Sequence, residues 1–229
     1  MRNIHAIILA GGTGSRMGGN LPKQFLALAE KPLILYSLQR FRNWGLCKSI
    51  NIVCHKEWVS LMEETVSPLL EGIDQIIEGG ATRHESTLRA LAQISWDEED
   101  ILFIHDAARP YFLETELDEL VGVTQIFGAG TLALKATETV VRSKIQSGFT
   151  EVSIPREEVY FVKTPQSVSG KMLKKLLSTG GISPNEHPTD LCSWVETIGE
   201  KTGIVLSTTK NIKVTTSDDM KVAESYLLP

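Results

Sequence analysis

Five short apolar runs alternate along this chain with longer segments of helical period. The runs cover residues 4–10, 50–54, 73–77, 101–105 and 131–134. Apolar residues at successive positions suit strands covered on both faces, because side chains pointing either way must then be buried. Between the runs, residues 32–41, 58–70, 86–94 and 114–126 repeat apolar positions every three or four residues, as Leu33, Ile34, Leu38 and Phe41 do. This alternation predicts an α/β fold with a parallel sheet and right-handed helical crossovers. At 229 residues the chain has the length of one large domain with an appendage, and 1–229 is read as a single domain. Ligands of such sheets bind beyond the carboxyl ends of the strands, near a switch in topology. The loops after the strands are therefore where the chemistry is sought.

Residues 139–156 break the alternation. Thr139-Val140-Val141 and Val152-Ser153-Ile154 flank a polar stretch containing Ser147 and Gly148, the pattern of a hairpin. A lone two-stranded ribbon is marginal in water, so a β-arm over residues 137–157 needs packing, which a second subunit could provide. Charge excludes several partners. With 23 Lys and Arg against 28 Asp and Glu, the net charge is −5, which argues against a nucleic-acid surface or a polybasic membrane anchor. No apolar run approaches the roughly 18 residues of a membrane span, and the first run enters a glycine loop without the cleavage site of a signal peptide. Cys47, Cys54 and Cys192 are odd in number and contain no C-x-x-C pair. They are read as buried small hydrophobes in a reducing, cytoplasmic compartment. The five histidines are too scattered for zinc, and residues 96–100 are read as a solvated loop.

Four segments carry chemistry. The first strand runs into Ala10-Gly11-Gly12-Thr13-Gly14-Ser15-Arg16-Met17-Gly18, with Pro22-Lys23-Gln24 close behind. Glycines let backbone N–H groups approach phosphate oxygens. The loop lacks the Gly-Lys-Ser/Thr of a P-loop, and Met17 stands where a dinucleotide fingerprint needs glycine. Its cations, Arg16 and Lys23, suit a polyphosphate whose charge changes during reaction. The fourth strand run ends in His105-Asp106-Ala107-Ala108-Arg109-Pro110. Asp106 at a strand exit suits Mg²⁺ bridging to substrate phosphates. Arg109 is read as pairing with Asp106 or with phosphate, and His105 as a packed residue. Gly79-Gly80-Ala81 with Ser86 offers backbone groups and a hydroxyl to a base edge. Asn211-Ile212-Lys213-Val214-Thr215 reads as a short strand with one cation.

In combination these segments resemble the nucleotidyltransferases that build activated sugars and polyols. Within that group the chain resembles the 2-C-methyl-D-erythritol 4-phosphate cytidylyltransferase family over nearly its whole length. The glycine loop with Leu21-Pro22-Lys23-Gln24-Phe25 marks the broader group. His105 to Pro110, Thr164-Pro165-Gln166, Thr189-Asp190 and Asn211 to Thr215, in that order, mark the cytidylyl branch. The resemblance implies a Rossmann-like, mostly parallel sheet flanked by helices, of the nucleotide-diphospho-sugar transferase type, with a protruding hairpin arm. It implies that Arg16 and Lys23 stabilise charge at the α-phosphate of CTP, and that Asp106 binds Mg²⁺. Gly80, Ala81 and Ser86 would surround the cytosine, although Ala81 stands where an acidic residue is common. Ala10, Gly11, Gly12, Gly14, Arg109, Thr164 and Thr189 would join them in binding. Arg156 and Lys213 would position a polyol phosphate, and in a homodimer Arg156 and Thr139 would serve the neighbour's site. Ribitol 5-phosphate cytidylyltransferases share most of these features, and Ala108, where that branch more often has Val, favours the methylerythritol branch.

Overall fold

The computed structural model describes residues 2–12, 21–144, 148–179 and 188–227. β1 (Ile4–Ala10) leads into a small ribbon of β2 (Ala27–Leu28) and β3 (Lys31–Pro32). There follow α1 (Leu33–Trp44), β4 (Ser49–Cys54), α2 (Val59–Val66), β5 (Gln75–Glu78), α3 (Arg83–Gln93), β6 (Ile101–Asp106), α4 (Glu114–Phe127) and β7 (Ala129–Lys135). The expected hairpin is present as β8 (Val140–Arg142) paired antiparallel with β9 (Val152–Ile154), though Ser147 lies outside the described residues. The chain then adds β10 (Tyr160–Ser169), α5 (Gly170–Ser178), α6 (Leu191–Glu196), β11 (Gly203–Leu206) and α7 (Ser217–Leu227).

Among the described residues the main sheet has seven strands in the order β11-β7-β10-β6-β1-β4-β5. β6, β1, β4 and β5 are mutually parallel, and β10 is antiparallel to both of its neighbours. The chain steps from β1 through β4 to β5 on one side, then crosses to β6 on the other side of β1. That reversal opens a crevice beyond the carboxyl ends of β1 and β6.

The near-continuous apolar runs have the predicted cause. In β1, Ile4, Ala6 and Ile8 face a core shared with α1, α2 and α4, while Ile7 faces a second core shared with α3, α5 and α6. β6 divides its residues in the same way, Ile101 and Phe103 against Leu102 and Ile104. Gly45 (φ 74°) and Gly128 (φ 81°) end α1 and α4 in the left-handed conformation that most side chains resist.

Several expectations are corrected. β5 begins two residues later than the apolar run, because Asp74 turns inward to accept the Ile50 N–H at 2.7 Å and to pair with Arg42, leaving Ile73 exposed. Residues 97–99 are exposed, but Asp100 is buried, accepting the Asn3 N–H at 2.8 Å and facing the buried His5 ring. Residues 211–215 form no strand. Val214 donates one backbone hydrogen bond to Ala108, and Asn211 is buried through side-chain contacts. Of the cysteines only Cys54 is fully buried; Cys47 and Cys192 are partly so. Burial pushes the Cys47 thiol up to about 12 and that of Cys54 to about 11, so both stay protonated and inert.

The Phe41 ring has no exposure and lies 5.0 Å from Phe112 and 6.0 Å from Phe103. Phe41→Ala is expected to lower unfolding free energy by about 3–5 kcal/mol, measured by urea denaturation.

Candidate active site

Strand register brings three loops to one level. Leu9 is paired with Asp106, Ala10 with Cys54, and Cys54 with Glu78. The chain segments that leave β1, β5 and β6 therefore emerge side by side. Gly11, Gly12, Lys23, Gly80, Ala81, Ser86, Asp106 and Lys213 line a single cleft of about 280 Å³ there. The two glycine loops nearly touch: a Cβ on Gly11 would lie 3.9 Å from the Ser86 hydroxyl, and one on Gly79 would lie 3.0 Å from it.

Asp106 is the electrostatic centre. Arg83 Nε donates to one carboxylate oxygen at 3.0 Å, and Lys213 Nζ to the other at 2.7 Å. Burial opposes ionisation, but Arg83 and Lys213 outweigh it and hold the carboxyl well below the usual carboxylate range. Lys23 starts a short turn that is fastened to β1: the Gln24 side-chain amide donates to the Ala10 carbonyl at 2.6 Å. The Lys23 ammonium donates to the Val214 carbonyl at 2.8 Å, next to Lys213. Arg83 and Lys213 thus hold one carboxylate while Lys23 lines the same cleft, an excess of positive charge that suits an anionic ligand.

Behind Asp106 lies a buried polar chain. The Asp106 N–H donates to the Thr164 hydroxyl at 3.0 Å, and Thr164 is 3.1 Å from His105 Nδ1. His105 Nε2 lies 3.1 Å from the Arg109 carbonyl, which can only accept. That contact assigns the proton to Nε2 and leaves Nδ1 to accept from Thr164. Full burial lowers the His105 pKa to about 3, so this imidazole is neutral and packed, as expected.

A family model described as 2-C-methyl-D-erythritol 4-phosphate cytidylyltransferase matches residues 4–228. The chain belongs to this family. The enzyme of that name from Leptospira borgpetersenii is 45% identical over 97% of this chain and 93% of its own length. The one from Clostridium novyi is 30% identical over 97% and 95%. A solved 4-diphosphocytidyl-2C-methyl-D-erythritol synthase from Anaerococcus prevotii shares the fold with a TM-score of 0.81 at 24% identity, covering 99% of this chain and 98% of its own.

As a member of the cytidylyltransferase family the chain places its expected residues unevenly. Gly14 and Arg16 lie outside the described residues. Ala10 is buried behind the loop, its carbonyl taken by Gln24. Arg109 does not pair with Asp106: its guanidinium is buried and donates to the Asn211 carbonyl at 3.3 Å. Thr164 is buried and braces Asp106 and His105, so it supports the cleft without lining it. Thr189 is exposed just before α6 and is not part of the cleft wall. Thr139 and Arg156 sit exposed on and beside the arm, where Arg156 donates to the Thr137 carbonyl at 3.2 Å. Arg83 takes the role expected of Arg109. Its signal was its place at the first turn of a helix following a glycine loop, which sequence alone did not connect to Asp106.

His105 has a folded pKa of about 3, below the value of about 6.5 that it has in an unfolded chain. Below pH 6.5 the unfolded chain therefore binds the extra proton, and stability falls with pH. Between pH 6.5 and 5 this contribution approaches about 1.4 kcal/mol per pH unit. Denaturation at stepped pH is expected to show a shallower slope for His105→Gln than for the wild type over that window.

Proposed function

We propose that this protein transfers the cytidylyl group of CTP to 2-C-methyl-D-erythritol 4-phosphate. Pyrophosphate is released and 4-diphosphocytidyl-2-C-methyl-D-erythritol is formed, a step of non-mevalonate isoprenoid synthesis. The observation that carries the reading is one cleft at the carboxyl ends of β1 and β6, lined by Lys23, Arg83 and Lys213, the last two paired with Asp106. Family membership across residues 4–228 favours this acceptor over ribitol 5-phosphate.

The acceptor phosphate is largely dianionic at neutral pH, since its second pKa is near about 6. One of its oxygens attacks the α-phosphorus in line, and the bond to the β-phosphate oxygen breaks, pyrophosphate leaving with the electron pair. The attacking oxygen has no proton to lose, so no protein base is required, in keeping with the neutral, sealed His105. Lys23, together with Arg16, meets the charge that builds on the α-phosphate; Lys213 and Arg156 hold the acceptor phosphate. Catalysis is positioning and electrostatics.

Asp106 is the one carboxylate on the cleft wall among the described residues. One carboxylate plus substrate phosphates is a usual donor set for Mg²⁺, and Asp106 is the residue that would hold it. Bound there, Mg²⁺ would neutralise phosphate charge. Lys23→Ala is expected to lower turnover at least about a hundredfold, measured as pyrophosphate release from CTP with methylerythritol phosphate and ribitol phosphate as parallel acceptors.

A homodimer belongs to the same proposal. Val141, Phe149 and Val152 are exposed on the ribbon, and a ribbon of two strands needs support. A second copy against it would place Arg156 and Thr139 at the neighbour's cleft. Mixing Lys23→Ala with Arg156→Ala subunits would then create one intact composite site per hybrid dimer, and recovery to about a quarter of wild-type activity is expected. No recovery after demonstrated subunit exchange would remove the shared site. Among the described residues no helix is long and apolar enough to cross a membrane. With three unpaired cysteines, a reducing cytoplasm is the proposed compartment.

A further inference from the structure

The loop between β5 and α3 is tied from behind. Thr82 caps α3 by accepting the Glu85 N–H at 3.0 Å. A glutamate at that position of a helix usually reaches back to the N–H of the capping residue itself. Here the Thr82 N–H also acts on Glu85, but the stronger contact is one residue further back, where Glu85 accepts the Ala81 N–H at 2.8 Å. Its other oxygen is held by Arg89 at 3.3 Å, and Arg89 also donates to the Gly79 carbonyl at 2.9 Å. The Glu85 side chain crosses Gly80 so closely that a Cβ there would lie 2.3 Å from its Cγ.

The Gly80 N–H is likewise taken, by the Ser86 hydroxyl at 3.0 Å. Gly80 and Ala81 both line the cleft; the Ser86 hydroxyl also reaches the Gly80 carbonyl at 3.5 Å, so with both N–H groups engaged it is the Ala81 carbonyl that this loop has to offer a ligand. Ala81 brings no polar side chain, so discrimination at this position falls to the backbone. We propose that Glu85 is a specificity-determining positioning residue, which by holding the Ala81 N–H keeps this loop an acceptor of the cytosine 4-amino group and a poor match for the 4-carbonyl of uracil. This rests on the reading of the cleft as a CTP site. Glu85 does not line the cleft; it acts by fixing the orientation of the Gly80–Ala81 peptides. Without it the Ala81 N–H is released, and rotation of the peptide can present a donor, which suits uracil.

The test is the ratio of kcat/KM for CTP to that for UTP, read from pyrophosphate release by the full chain. Glu85→Ala is expected to lower the ratio at least about tenfold, mainly through a higher KM for CTP, with kcat changed by less than about threefold. Glu85→Gln keeps an acceptor oxygen for the Ala81 N–H and is expected to hold the ratio within about threefold of wild type. Gly80→Ala evicts the same carboxylate from the opposite side and is expected to relax the preference as Glu85→Ala does, which keeps the test intact if either variant is unstable. A wild type that prefers CTP and a folded Glu85→Ala variant with an unchanged ratio overturn the role of Glu85 alone. So does a Glu85→Gln variant as relaxed as Glu85→Ala, because hydrogen bonding would not then be the operative contact. A wild type that releases no pyrophosphate from CTP overturns the site reading itself.

Discussion

The ionised carboxylate of Asp106 is the interaction on which the rest of this site depends. It joins parts of the chain far apart in sequence, the first turn of α3 through Arg83 and the segment before α7 through Lys213, while the Asp106 backbone N–H donates to the Thr164 hydroxyl of β10. A charge so little exposed is stable only when paired and hydrogen-bonded, and loss of a partner leaves the remaining charges uncompensated. The same arrangement that holds the carboxylate ionised therefore locates the cations around it. Structure and chemistry are one network, in which removing a side chain for its reactivity also removes a brace.

Much of this was legible from residue order. The central strands β1, β4 and β6 followed from near-continuous apolar runs, because both faces of the sheet are covered; the His5 and Asn51 that interrupt them are buried and hydrogen-bonded. The cleft followed from glycines and charges placed directly after strands. β10 was not legible, since Lys163, Thr164, Pro165 and Gln166 resemble a loop and proline is uncommon inside sheets. The structure accommodates them with a register shift between Val162 and Gln166. Gln166, with no exposure, is satisfied by the Thr131 hydroxyl and by the Leu191 N–H. Such tertiary satisfaction of polar groups has no periodic trace.

The Arg109 and Arg83 assignments differ for a related reason. Both arginines follow strands and both are a short distance from Asp106 in the fold, but sequence proximity favours Arg109, three residues away. The turn after β6 instead sends its side chain inward, where it holds the Asn211 carbonyl, while its own carbonyl faces His105. Arg83 arrives from a different strand end because β5, β4, β1 and β6 stop level with one another. Pairings set by strand register are invisible until the order of strands is known.

β5 is the outermost strand on its side of the sheet and largely exposed, whereas β1 and β6 lie at the centre and are almost wholly buried. The two ends of the cleft are thus under unequal constraint. An exposed position after β5 such as Ala81 can change with little disturbance to the packed interior, while Arg83 and the residues after β1 and β6 are committed to it. A lineage exploring new nucleobases would find its freedom at the margin of the sheet, and would leave the machinery for breaking the phosphate bond untouched.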